Sequence, residues 1–245
     1  MPFTFCHPAI VLPLGYLPKR VVSVSALVIG SMAPDFEYFF RMRIFSIYSH
    51  TWDGLLWFDL PVGLFVLLIY LSLVKNVLID HLPEFLNKRF SSFKNPPSFR
   101  FSNAIIAVLC ILLGAISHIL WDGFTHKSGY FVAHIPALSI PVTINHTTLY
   151  VYNIVQHASS LLGLLVILYA IWKLPVGLLT IKRPIFGYWL VVITITLLIV
   201  IARFAISRTM LLVGNVIVSA ISASFIALVI TSAYYRLKNK HNTII

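Results

Sequence analysis

Charge is scarce in this sequence, and acid is scarcer still. Of 245 residues only 10% are charged, and seven Asp and Glu face 18 Lys and Arg. A soluble domain has about a quarter of its residues charged, so an ordinary cytosolic enzyme, a disordered chain and a coiled coil are all excluded. Cysteine is nearly absent. Cys6 and Cys110 cannot build a disulfide framework, and Cys110 lies in an apolar run where packing accounts for it. No glycine-rich phosphate loop, Walker pattern or nucleophile elbow occurs. Ser159 and Ser160 near His157 do not make a Ser–His hydrolase. No base precedes the first apolar stretch in MPFTFCHPAIVLPLGYLPKR, so a cleavable secretory signal is not expected. There is no internal repeat.

What fills the sequence is apolar side chain: 59% of residues are hydrophobic and mean hydropathy is +0.93. Five runs, about 54–74, 103–121, 157–174, 186–202 and 211–233, have the length and polarity of spanning helices. A sixth, about 21–40, is weakened by Asp35 and Glu37. The fold class expected is all-α: a polytopic membrane helix bundle with five or six spanning helices and a polar N-terminal helical region. Residues 1–165 are expected to carry a metal site and 166–245 to be membrane helices, in one continuous bundle.

The charges sort by segment. All seven acids lie in residues 1–122, whereas 123–245 carry nine bases and no acid. The net charge of +11 falls in short links between apolar runs, which points to topology and lipid headgroups and away from nucleic acid. Residues 75–102 hold Lys75, Lys88, Arg89, Lys94, Arg100 and the Pro96–Pro97 pair and read as a basic, loosely ordered loop. With six spans the bases divide 13 to 5 between the two sides, and with five 11 to 7. Either count makes the 75–102 loop and the C-terminal tail cytoplasmic in a bacterial inner membrane. It places 41–53 and 122–156 on the outer face.

That sorting gathers the polar chemistry. In SHILWDGFTH, His118, Asp122 and His126 follow a four-residue spacing, which puts them on one helix face. Imidazole nitrogen and carboxylate oxygen suit a first-row metal; a polar helix end at the headgroups is the competing reading, with Trp121 marking the interface. In GSMAPDFEYFF, Pro34 suits a helix start or kink and Asp35 follows it. Asp35 is open to metal ligation or to favouring a helix N-terminus, and Glu37 faces elsewhere. In SHTWDGLLWFDLP, His50 is a candidate ligand and Asp53 a candidate cap, while Asp59 with Pro61 signals an irregular first turn. His7, in FTFCHPAI, joins the group only if five helices span and the N-terminal segment is re-entrant; with six it lies on the opposite side. Gln156 and His157 open a span as interfacial polar groups, with an outer-sphere or substrate contact as the alternative. His81, His134, His146 and His241 read as ordinary loop residues.

Taken together, MPFTFCHPAIVLPL, SALVIGSMAPDFEYF, SHTWDGLLWFDLP and GAISHILWDGFTH resemble, over about residues 1–165, a bacterial membrane family known as domain of unknown function 4184. Its ordered His … Pro-Asp … His … His-x-x-x-Asp pattern is similar to that of membrane-bound metal-dependent hydrolases, themselves likened to the all-helical zinc phospholipase C and P1 nuclease group. The resemblance implies metal-ligand roles for His7, Asp35, His50, His118 and Asp122, with His126 completing the shell or acting as general base. The N-terminal Trp used by the soluble zinc phospholipases is missing here.

The expectation is an integral-membrane metal-dependent hydrolase with a divalent ion, zinc by donor type, acting on a lipid-linked phosphoester at the outer headgroup level. Its partners are membrane lipids, not nucleic acid. The alternative is a transporter or non-catalytic membrane protein whose buried His and Asp serve packing or a pathway. Haem ligation by paired histidines is a third reading, without any Cys-x-x-Cys-His attachment pattern.

Overall fold

The computed structural model describes residues 3–94, 101–144, 147–178, 185–206 and 212–241. Pro96, Pro97, Arg100, His146, Lys182, Arg183 and Arg208 lie outside the described residues, as does the side chain of His241. A 3₁₀ turn (Thr4–Cys6) leads into α1 (Pro8–Val11), a second 3₁₀ turn (Leu12–Tyr16), α2 (Val24–Gly30), a third turn (Ala33–Asp35) and α3 (Phe36–Arg41). Next come α4 (Leu55–Asp80), α5 (Glu84–Phe90), α6 (Phe101–Thr125) and α7 (Tyr130–His134). A hairpin of β1 (Pro141–Ile144) and β2 (Thr147–Tyr150), paired antiparallel with Pro141 opposite Tyr150, precedes α8 (Val151–Lys173), α9 (Ile185–Ile206) and α10 (Val213–His241).

Among the described residues, α4, α6, α8, α9 and α10 are long and apolar enough to cross a membrane. The fold is an all-α polytopic membrane bundle. Leu161, Leu162, Leu165 and Leu168 on α8 and Leu197, Leu198 and Ile201 on α9 are exposed, as lipid-facing positions require. The 21–40 segment is not a sixth span. α2 has seven residues, or about 10 Å of helix, and stops where Ser31 N–H bonds back to Leu27 O and Met32 N–H to Ile29 O. A 3₁₀ turn (Ala33–Asp35) then takes over around Pro34, which has no N–H to continue an α-ladder. Lys75–Asp80, read from the sequence as the start of a loop, is the last stretch of α4. Lys75 interrupts the hydropathy there, but a long aliphatic stem can pack while its amine reaches polar surroundings.

The chain divides into two compact units. One comprises Met1–Phe36, Ile47–Leu64 and Phe99–Lys173. At its centre α2 crosses α6 at very short range. A Cβ on Gly30 would lie 2.4 Å from Ile111 O, and one on Gly114 would lie 2.5 Å from Ser31 N. Backbones come this close in lipid where the interface residues are small.

The other unit comprises Glu37–Ser46, Phe65–Ser98 and Leu174–Ile245. Its core joins Val77, Tyr188, Val192 and Ala227. Tyr188 shares a 2.9 Å hydrogen bond with Ser232. His81, expected as a loop residue, is instead buried and stacked on Tyr188 with ring centroids 4.4 Å apart. Asn215, Ser219 and Ser222, spaced to share one face of α10, satisfy the irregular backbone of 39–44. Asn215 Oδ1 accepts from Ile44 N–H, and the two serine hydroxyls donate to Met42 O and Phe39 O.

Candidate metal centre

Each side chain of the centre is delivered by a local feature of the first unit. α6 supplies His118 and Asp122 from successive turns, and His126 follows its last residue. The break after α2 supplies two things at once. In an unbroken helix Ser31 C=O would accept from Asp35 N–H, but Asp35 N–H bonds instead to Met32 O. The freed Ser31 carbonyl accepts from His118 Nδ1–H at 2.7 Å, which leaves His118 Nε2 as a lone-pair donor. The same break aims Asp35 at α6.

His50 comes from the turn ahead of α4. Thr51 Oγ1 donates to Tyr48 O at 2.8 Å and accepts from Gly54 N–H at 3.0 Å. Gly54 is required there because a Cβ would stand 2.0 Å from Tyr48 O. Asp53, a candidate cap, makes no capping bond; Gly54 occupies the cap position without a side-chain partner. α4 does open irregularly, on a π turn (Leu55–Asp59). His7 follows the Thr4–Cys6 turn, which is fastened by Phe3 N–H bonding Ser160 Oγ on α8.

Two imidazoles face two carboxylates. His50 Nε2 lies 3.5 Å from Asp35 Oδ1 and 3.6 Å from Asp122 Oδ2. His118 Nε2 lies 3.7 Å from Asp35 Oδ1 and 3.4 Å from Asp122 Oδ2. His7 Nε2 approaches the other Asp122 oxygen, Oδ1, at 3.6 Å. The His7 ring stacks on His118 with centroids 3.7 Å apart. These separations are too long for hydrogen bonds between the groups. Each matches the spacing of two ligands on one ion, about 3.4 Å for bonds of about 2.1 Å. Two overlapping groups, His7–Asp35–His118 and His50–His118–Asp122, have donor atoms within 4.8 Å of one another and could hold a metal ion.

Burial sharpens the case. His7, Asp35 and His118 are fully buried and Asp122 nearly so. Asp35 Oδ1, His118 Nε2, both Asp122 oxygens and both His7 nitrogens have no hydrogen-bond partner. So many unsatisfied buried polar atoms in one place would cost several kcal/mol unless a cation receives the lone pairs among them. Burial, with His118 beside it, drives the His7 imidazole down to about 3, so it stays neutral with a lone pair to give. Burial works to raise the Asp35 carboxyl, but His118 and His50 outweigh it and hold it below the ordinary carboxylate range.

His126 stands at the margin. Its Nδ1 is 3.6 Å from Asp122 Oδ2 but donates to Asp122 O at 3.1 Å, and its side chain is 29% exposed against 20% for His50. His157 is exposed on α8, and His134 is bound to Tyr130 O; neither belongs to the two groups that could hold a metal ion. Glu37 pairs with Arg41 Nη2 at 2.7 Å. Two contributors escaped the sequence reading: the Ser31 carbonyl and the Thr4 hydroxyl, which donates to Asp35 Oδ2 at 2.5 Å. A backbone oxygen has no sequence signature, and one threonine in an apolar terminus carries no pattern. Ser159 and Ser160, set aside as a hydrolase pair, anchor Trp121 Nε1 and Phe3 N instead.

Comparison with known proteins adds a family. Residues 1–233 match the model of a family described as a domain of unknown function (DUF4184), and the chain belongs to that family. No curated protein and no protein of solved structure matches it.

Proposed function

We propose that this member of the DUF4184 family is an integral-membrane metal-dependent hydrolase whose substrate is a lipid-linked phosphoester. One observation carries the reading: the imidazoles of His50 and His118 each lie at ligand-to-ligand spacing from the carboxylates of Asp35 and Asp122, and three of these four donor atoms are buried without hydrogen-bond partners. Mixed imidazole and carboxylate donors at that spacing favour zinc over the hard, oxygen-seeking cations. Held by three of these donors, as catalytic zinc is, such an ion would keep a place for a water acidified near neutral pH and would act as a Lewis acid for a phosphoryl oxygen.

The residues take distinct roles. The ion draws its ligands from Asp35 Oδ1, His50 Nε2, His118 Nε2 and Asp122 Oδ2, with His7 beside Asp122 Oδ1. Ser31 O fixes the His118 tautomer, an outer contact of the kind that orients metal-binding imidazoles. His126, with Nδ1–H committed to Asp122 O, offers Nε2 as general base, and burial holds it below the ordinary imidazole range so that it is unprotonated at neutral pH. Substrate enters from the side of His50 and His126, the partly exposed members.

A lipid substrate follows from placement. Asp122 lies three residues before the end of α6 and His118 seven, or about 5 and 10 Å from it along the axis, at headgroup depth. Five spans leave the residues before α4 and the α6–α8 link on one side. That side has the fewer bases, 7 against 11, and is the outer face of a bacterial inner membrane.

The experiment is elemental analysis of the purified protein beside His118→Ala and Asp122→Ala variants, with phosphate release from lipid phosphoesters in mixed micelles. About one zinc per chain, lost in both variants together with the activity, is expected. Full metal content in either variant, or a metal-free wild type, would sink the proposal.

A further inference from the structure

We infer that Thr4 is a positioning residue: its hydroxyl ties up one oxygen of Asp35, so that the other alone is presented to the ion. The inference rests on the metal-centre reading above and adds a residue to it.

Thr4 Oγ1 donates to Asp35 Oδ2 at 2.5 Å, while Asp35 Oδ1 faces His50 Nε2 at 3.5 Å and His118 Nε2 at 3.7 Å. The two carboxylate oxygens are therefore differentiated before any ion arrives. Thr4 is 4% exposed and Asp35 0%, so water cannot replace the hydroxyl. A hydroxyl bound to a carboxylate is among the stronger hydrogen bonds, because its acceptor is charged. It also opposes rotation of the carboxylate plane, which would otherwise let both oxygens chelate or let Oδ1 swing away.

The hydroxyl's own position is set independently of the centre. Residues three apart eclipse on a 3₁₀ turn, and His7 N–H bonds to Thr4 O at 3.3 Å. The one turn Thr4–Cys6 thus sends Thr4 and His7 toward the same place. The turn is pinned from outside by Phe3 N–H on Ser160 Oγ at 3.2 Å. It also packs against Gly163, where an added Cβ would meet Cys6 Cβ at 2.9 Å. α8 therefore holds the turn, the turn holds the hydroxyl, and the hydroxyl holds Asp35.

The test compares the full chain with Thr4→Val, nearly the same shape without the hydroxyl, and with Thr4→Ser, which keeps it. Zinc affinity is measured by chelator competition, and Co²⁺ absorption in the visible reports coordination. Thr4→Val is expected to lose about 10- to 100-fold in affinity, as for other outer contacts of metal ligands, and to change the cobalt spectrum. Thr4→Ser is expected to stay close to wild type in both. If Thr4→Val does not fold, Thr4→Ala replaces it under the same criteria. Wild-type affinity and an unchanged cobalt spectrum in the hydroxyl-free variant would overturn the inference. So would equal losses in Thr4→Ser. Asp35→Asn and His118→Ala separate the two levels. If they lose zinc while Thr4→Val does not, the Thr4 role alone is wrong; if the wild type binds none, the metal centre falls and this role with it.

Discussion

At the scale of single residues, the centre is built from groups that are costly to bury and are nonetheless buried together. His7 shows the consequence most simply. Burial pushes its imidazole from the ordinary 6.5 down to about 3, so between those values the unfolded chain holds a proton that the folded chain lacks. Stability of the metal-free protein must then fall as pH drops from about 6.5 toward 3. Denaturant melts of the chelator-treated protein in detergent, taken across that window, are expected to show this slope. His7→Gln should flatten it by up to one proton, and an unchanged slope would mean that His7 is not the buried neutral group. Residue identity was legible in the sequence: the four-residue spacing of His118, Asp122 and His126, the Pro34–Asp35 pair, and His50 and His7 in their motifs. Orientation was not. Nothing in SHILWDGFTH says that His126 turns Nδ1 back onto its own helix carbonyl, because that rotamer is decided by neighbours the local sequence does not contain.

At the scale of elements, the decisive feature is a break. The 21–40 segment has nearly the composition of a span, yet α2 ends at Gly30, and the interruption is what frees Ser31 O for His118. Hydropathy averages over a window and passes across such a break; only Pro34, Asp35 and Glu37 signalled it. Helix ends were similarly blurred, with α4 running on through Lys75 to Asp80 and α8 starting at Val151, ahead of the apolar run. The contact of α2 with α6 through Gly30 and Gly114 was invisible, because a glycine in an apolar run shows no partner. Its effect can be measured. A methyl on Gly114 would reach within 2.6 Å of Leu27 O and 2.5 Å of Ser31 N, both backbone atoms that cannot rotate aside. Gly114→Ala should force the helices apart and destabilise by about 1–3 kcal/mol. It should also weaken zinc binding, although it touches no ligand, because the same shift lengthens the Ser31–His118 hydrogen bond. Thermal melts and chelator competition on the one variant read both effects. A loss of stability with unchanged affinity would show that the helix crossing and the centre are uncoupled.

At the scale of the whole molecule, ion binding and topology become testable without knowledge of the substrate. An ion that binds only the folded chain stabilises it by about 2.7 kcal/mol at a hundredfold excess over Kd. Stripping zinc should therefore lower the melting temperature, and adding it back should restore it in wild type but not in Asp122→Ala. The orientation proposed above rests on charge. The number of spans was legible only as five or six, because the broken N-terminal segment was ambiguous. With the five candidate spans among the described residues, the bases divide 11 to 7, a weaker asymmetry than six would give, so the direction of insertion is worth measuring directly. Cys6 and Cys110 are both buried, leaving a quiet background for introduced cysteines. Lys127, Ser92 and Lys238 are exposed; one span separates Ser92 from Lys127, and four separate Ser92 from Lys238. A membrane-impermeant maleimide should label Lys127→Cys in intact cells, and Ser92→Cys and Lys238→Cys only after permeabilisation. The reverse pattern would put the metal centre on the cytoplasmic face, where a lipid-linked phosphoester would have to be met in the inner leaflet. Labelling of Ser92→Cys and Lys238→Cys from opposite sides would contradict the five-span count itself.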